Sequence, residues 1–247
     1  MSALPQRQHG EPEGRRHLYL TRSVDDGATW STPQDLATQL IPAGWAWDAV
    51  GPGIGVKLST GELVVPAKGR NLIGRGTPGN RTWSMQLLGE SNNEGTVAQT
   101  PDGRLYRNDR PNSGDYRRVA RGTLGGFGAF ANDTGLPDPQ CEGAVLVYNL
   151  DAPARTIFLN FASTSSRREM RVRISYDADA NRYTYGRKLG DAPIAGAGKA
   201  SMTKTTDFRI GALVETDFFE YGSDPRSHRA IVWRRFNLSW ILNGPGA

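Results

Sequence analysis

Residues 19–31 read YLTRSVDDGATWS, and the order Ser23-x-Asp25-x-Gly27-x-Thr29-Trp30 inside them decides what kind of chain this is. An aspartate two residues after a serine and two before a glycine can cap the amides of its own turn with its carboxylate. Gly27 supplies the positive φ that a tight reversal needs, and Trp30 is expected to pack between neighbouring sheets. The stretch reads as a strand–turn–strand device. Its five marker residues, Ser23, Asp25, Gly27, Thr29 and Trp30, are therefore structural, and chemistry has to be sought elsewhere.

The device recurs. Thr-aromatic pairs close similar stretches at Thr29-Trp30, Thr82-Trp83 and Thr184-Tyr185, with a worn copy in RGTLGGFGAF (121–130), so the aromatic positions 30, 83, 130 and 185 are separated by 53, 47 and 55 residues. Repeats of ~40–50 residues are the spacing of propeller blades. Only the first copy is intact: Leu124 replaces the aspartate in the third, and SYDADANRYTY (175–185) is longer before its Thr-aromatic pair. Between the copies lie short apolar or alternating runs bounded by turn residues, namely GIGVKL, GELVVPA, GTVAQT, RLYRN, EGAVLVYNL, TIFLNFA, MRVRISYD, RIGALVE and AIVWRRFNLSWIL. These are expected strands, with hairpin turns at PDG (101–103) and STGE (59–62). An all-β propeller of radially packed four-stranded blades follows.

Composition agrees. Thirty Gly and fifteen Pro in 247 residues favour tight turns over long helices. The net charge of +5 suits an acidic ligand, but the basic residues are scattered, and RRVAR (117–121) and SSRREMRVR (165–173) read mainly as solvated faces. No aromatic-interleaved basic stripe of the nucleic-acid-binding kind is present. The single cysteine, Cys141, excludes an intrachain disulfide and is expected as a buried thiol in a strand. The three His are isolated, so no metal is expected. No apolar run approaches the ~20 residues that span a bilayer, and the N-terminus lacks an apolar signal region. The expectation is a soluble chain without an export address and with its compartment unassigned, flexible over residues 1–16 and a propeller over 17–247.

The ordered series YLTRSVDDGATWS, VGPGIGVKLSTGELVVPAKGR, NNEGTVAQTPDGRLYRNDRP, LPDPQCEGAVLVY, SSRREMRVRISYD, IGALVE and RRFNLSWIL resembles the exo-α-sialidases of glycoside hydrolase family 33 from about residue 17 to 243. The opening stretch resembles that family's Asp box. The resemblance implies a six-bladed propeller, of which this chain has room for about four to five blades. It also implies the hydrolysis of terminal sialic acids, with a sialylated glycan or free sialic acid as partner and no cofactor. In that family three arginines clamp the sugar's carboxylate, whose geometry their planar forks match. A tyrosine polarised by a glutamate replaces the carboxylate nucleophile that the substrate's own charge would repel. A separate aspartate is acid and base.

Carried over residue by residue, Glu94 matches the polarising glutamate and Arg110 the second arginine. The hairpin turn at Asp102-Gly103 would bring both to one rim of a blade. Arg167 matches the third arginine, with Arg168 the off-by-one alternative; on a strand these neighbours would point to opposite faces, so one is expected at the surface. Glu215 matches a glutamate that braces the first arginine. The Arg-Ile-Pro segment carrying that arginine, and the acid aspartate, have no counterpart here, and Asp25 and Asp26 belong to an outer turn. The nucleophile's position, anchored on Met202, holds Lys199, which cannot form the family's aryl-linked glycosyl intermediate. Weak or absent hydrolysis by this chain alone is therefore expected, and the alternative is a catalytically dead propeller that binds acidic sugars or a protein partner. Trp45, Trp47 and Arg70 are candidates for a rim pocket. An incomplete ring would leave blade edges open to self-association.

Overall fold

The computed structural model describes residues 16–45, 47–90, 92–151, 153–167, 169–189, 199–216 and 230–243. The expected flexible segment 1–16 lies outside them except for Arg16, and so does Arg168. Strands β1 (Tyr19–Leu20) and β2 (Gln34–Asp35) form a two-stranded ladder around the quoted turn, followed by the one-turn helix α1 (Ala37–Leu40). Four antiparallel sheets follow in chain order. The first is β3 (Val56–Lys57), β4 (Leu63–Ala67), β5 (Arg70–Thr77) and β6 (Asn80–Leu87). The second is β7 (Gly95–Gln99), β8 (Leu105–Asp109), β9 (Tyr116–Thr123) and β10 (Gly126–Phe127), with β11 (Ala131–Pro137) also on β9. The third is β12 (Ala144–Asn149), β13 (Arg155–Phe161), β14 (Met170–Ser175) and β15 (Tyr185–Lys188). The fourth holds β16 (Ala200–Lys204), β17 (Ile210–Thr216) and β18 (Ala230–Phe236), before helix α2 (Leu238–Leu242).

Each sheet is a meander, and apolar clusters fill the gaps between successive sheets as propeller blades require. Leu58 and Val64 pack with Val97 and Leu105 between the first and second blades. Tyr106 and Val119 meet Val145 and Phe158 between the second and third. Ile157, Val172 and Ile174 meet Met202, Ile210 and Val214 between the third and fourth. Full burial of such a side chain is worth roughly 1.5–3 kcal/mol. Among the described residues the protein is an all-β propeller arrangement of four blades plus the β1–β2 pair.

The opening turn forms as its chemistry dictates. Asp25 Oδ1 accepts from Thr29 N at 2.9 Å, Asp25 Oδ2 from the Thr29 hydroxyl at 2.6 Å, and Ser23 Oγ from Gly27 N at 2.8 Å, with Gly27 at φ +87°. The Thr29 side chain and amide, then Ser23, hold the Asp25 carboxyl down to about 2. Trp30 departs from expectation: it is 62% exposed, and its indole N–H turns back onto Gly27 O at 3.1 Å instead of entering a core. The later copies fall at the matching joints, Trp83 on β6, Phe130 just before β11 and Tyr185 opening β15.

Four other expectations are corrected. AIVWRRFNLSWIL is strand only to Phe236. Asn237 then caps α2 by accepting Trp240 N at 2.8 Å, because its side-chain oxygen satisfies an amide that a helix start leaves open. Cys141 is buried at 2% exposure but lies ahead of β12, in the loop, where burial pushes its thiol up to about 11. RRVAR is not a solvated face. Arg117 is fully buried and donates to Asn108 Oδ1 at 2.6 Å, Asn108 O and Asp138 Oδ2 at 3.0 Å, and Cys141 O. In SSRREMRVR, Arg173 also departs from a solvated face: it is 9% exposed, and burial first and then Arg171 lower its guanidinium pKa to about 10.

Buried arginines are the second mortar between blades. Arg107 on β8 reaches back into the first blade, donating to Asn71 Oδ1 at 2.9 Å and Ala67 O at 3.1 Å, and forms an ion pair with Asp109 at 2.8 Å. A guanidinium spreads several donors in one plane, so one side chain satisfies carbonyls on two sheets at once.

Candidate active site

The rim is built by the second-blade hairpin. Gly103, at φ +83°, closes the turn between β7 and β8, and the ladder places Glu94, just before β7, opposite Arg110, just after β8. Their backbones are bonded, Arg110 N to Glu94 O at 2.8 Å, and their side chains form an ion pair, Arg110 Nη1 to Glu94 Oε2 at 2.8 Å. Glu94 is 12% exposed and Arg110 24%. Among the described residues, Arg110 Nε is buried without a hydrogen-bond partner.

The other oxygen of Glu94 faces the fourth blade. There the Lys199 ammonium forms an ion pair with Glu94 Oε1. Burial lowers the Lys199 pKa, with the Glu215 charge acting the other way. Glu215 on β17 is bonded to the same residue through the backbone: its Oε2 accepts Lys199 N at 3.0 Å, and its own N–H donates to Lys199 O at 3.0 Å. Glu94, Arg110, Lys199 and Glu215 thus form one continuous cluster. It holds one carboxylate between two cations, with a second carboxylate behind the lysine backbone.

Arg167 is attached by a different route. It precedes β14, and Glu169 after it adopts φ +58°, so the strand alternation that separates neighbours by face does not apply at this position. Its Nη2 donates to Gln140 O at 3.2 Å, and its charge acts on the adjoining Cys141 thiol. That places Arg167 against the loop that enters β12, bonded to none of the cluster's side chains among the described residues.

Arg70 cannot line a pocket. It is fully buried, gripping Asp48 with Nη1 and Nη2 at 2.7 Å each and Leu40 O with Nε at 2.7 Å. Trp45 and Trp47 hold the Lys68 ammonium instead, with ring centroids at 4.5 and 5.1 Å. A cation over an indole is a packing interaction that needs no ligand.

One residue of the site was missed in the sequence. Glu142, in the loop before β12, is 1% exposed and accepts Ala200 N at 2.8 Å through Oε2, one residue along from Lys199. The available signal was an acidic residue directly ahead of the apolar run GAVLVY, where a carboxyl is buried only for a reason.

Among known proteins, the BNR repeat-like domain family matches residues 6–212. The chain is 70% identical over 237 residues to the exo-alpha-sialidase of Aspergillus fumigatus, covering 94% of this chain and 58% of that protein. It is 63% identical over 236 residues to the exo-alpha-sialidase of Arthroderma benhamiae, with the same 94% and 58% coverage. The chain therefore spans a little over half the length of these curated relatives. In three dimensions it resembles the intramolecular trans-sialidase from Ruminococcus gnavus at a TM-score of 0.75 and 21% identity, over 93% of this chain and 52% of that one. That likeness speaks to the fold.

Proposed function

The chain belongs to the BNR repeat-like domain family, and on that premise we propose that it serves an exo-α-sialidase function, taking the terminal sialic acid of a glycan at the Glu94–Arg110–Lys199 rim. The observation that carries this reading is the charge arrangement at Glu94: Arg110 Nη1 on one oxygen and the Lys199 ammonium on the other. Both cations keep part of their side-chain surface open, 24% for Arg110 and 36% for Lys199. A guest carboxylate can take these donors, because an anion is best held by charge-assisted hydrogen bonds from fixed cations. Arg167 and Glu215 support the rim, one from the β12 entry loop and the other behind Lys199. The relatives' names point to the same sugar.

The side chain facing Glu94 also sets the limit on chemistry. A glutamate next to a phenol can draw off its proton and raise its nucleophilicity. Next to an ammonium it forms an ion pair that lowers the amine's nucleophilicity. This chain alone is therefore proposed to bind the sugar with little or no turnover. The test is a fluorogenic sialoside assay beside calorimetric titration with N-acetylneuraminic acid. Saturable binding that Arg110→Ala abolishes, with release of fluorophore no faster than a heat-killed control, is the expected pair of results. Absence of binding defeats the reading, and rapid turnover defeats the assigned role of Lys199.

A further inference from the structure

Two carboxyls from two different blades meet two successive amides. Glu215 on β17 accepts the Lys199 N–H at 3.0 Å, and Glu142, at the entry to β12, accepts the Ala200 N–H at 2.8 Å. Between those two peptide planes stands the α-carbon of residue 199, the residue whose side chain meets Glu94. Fixing the plane on each side of one α-carbon fixes both soft dihedrals of that residue. The long lysine stem then starts from a set point.

Glu142 reaches Ala200 from the place where the innermost strands converge. A side-chain carbon at Gly53, ahead of β3, would lie 3.6 Å from both Glu142 Oε1 and the hydroxyl of Thr96 on β7. Residues ahead of the first blade and on the second thus flank a carboxyl that belongs to the third and grips the fourth. Among the described residues its Oε1 is buried with no hydrogen-bond partner.

We propose that Glu142 is a positioning residue, which holds the Ala200 N–H so that residue 199 presents its side chain to Glu94. The assignment to a sugar site rests on the sialic-acid reading above, whereas the clamp itself rests on the two amide contacts. Burial acts on the carboxyl first and raises it to about 8, so the clamp can be followed directly. The charged groups around it are Arg117, which opposes that rise, and Glu215 and Asp138, which add to it.

The experiment is amide NMR on the whole chain, with sugar titration alongside. In the wild type, the Ala200 amide shift should titrate with a midpoint near 8, following the carboxyl it donates to. In Glu142→Leu, hydrogen exchange at Ala200 should rise at least about tenfold while Ile157 and Val172 keep their protection. Glu142→Gln retains an acceptor oxygen and should stay close to wild type in exchange and in affinity for N-acetylneuraminic acid, whereas Glu142→Leu should bind it severalfold more weakly. A flat Ala200 titration overturns the proposal, as does unchanged exchange at Ala200, or equal loss of protection at Ile157 and Val172. An affinity that ignores the release of Ala200 removes the positioning role. If the wild type binds no sugar, the sialic-acid reading fails, and the amide measurements still decide whether Glu142 clamps residue 199.

Discussion

Stability should fall as pH rises from about 4.5 to about 8, and Glu142→Gln should remove most of that fall. Burial raises the Glu142 carboxyl from 4.5 to about 8, against the Ala200 N–H and Arg117, which favour the charged form. The folded chain therefore keeps a proton that the unfolded chain surrenders above 4.5. Stability from this group is full below that pH, declines as pH rises towards 8 and levels off above it. At about 1.4 kcal/mol per pH unit, the interval amounts to about 5 kcal/mol, against a typical total of roughly 5–15 kcal/mol for a folded domain. Glutamine has the same shape, keeps an oxygen for Ala200 and carries no charge at any pH. Urea unfolding of both proteins, read by tryptophan fluorescence from about pH 5 to about pH 9, should show a steep decline in the wild type and a much shallower one in the variant. Parallel curves would refute the argument that this buried carboxyl is held protonated.

Three further outcomes follow from the packing. Arg117→Met should lower stability by about 3–5 kcal/mol, because Asp138 loses the cation that compensates its burial; urea midpoints give the value, and Asp138→Asn in the same background should recover part of it. Gly122→Ala places a carbon 2.6 Å from the Phe127 α-carbon, a backbone clash that β9 and β10 cannot relieve by turning a side chain. It should cost about 1–3 kcal/mol in the same assay, and a neutral result would contradict the close approach of these strands. On the fourth blade, Leu213, Ile231 and Trp233 are 46%, 71% and 50% exposed around the outer described strand β18. Sedimentation should show self-association that Ile231→Lys weakens, and a single monomeric species at high concentration would contradict it.

Much of the fold was legible because repeated turns and short apolar runs are local signals. Asp25 and Gly27 make their turn from residues within the turn itself, and GELVVPA and TIFLNFA are short apolar runs bounded by turn residues, which read as strands. The buried arginines were not legible. Arg107 and Asp109 stand two apart on β8, a spacing that equally describes a solvated strand face, and what buries them is the first blade, dozens of residues away in the chain. Trp30 was misjudged for the same reason, since a tryptophan's burial is decided by the neighbouring sheet and not by its own turn. AIVWRRFNLSWIL hid its helix because Asn237 acts through a cap on Trp240 N, which an apolar run conceals. At the site, Glu94 and Arg110 are tied by one hairpin. The meeting of Lys199 with Glu94 and of Glu142 with Ala200 depends on the fourth blade closing against the second and third, and no local pattern records that closure.

The most direct measurement is calorimetric titration of N-acetylneuraminic acid into the wild-type chain and Arg110→Ala, with a fluorogenic sialoside assay on the same preparations. Saturable binding in the wild type, its loss in Arg110→Ala and turnover no faster than a heat-killed control are the results predicted from the Glu94–Arg110–Lys199 cluster. Equal binding by both proteins, or none by either, would contradict the placement of the sugar's carboxylate at this rim.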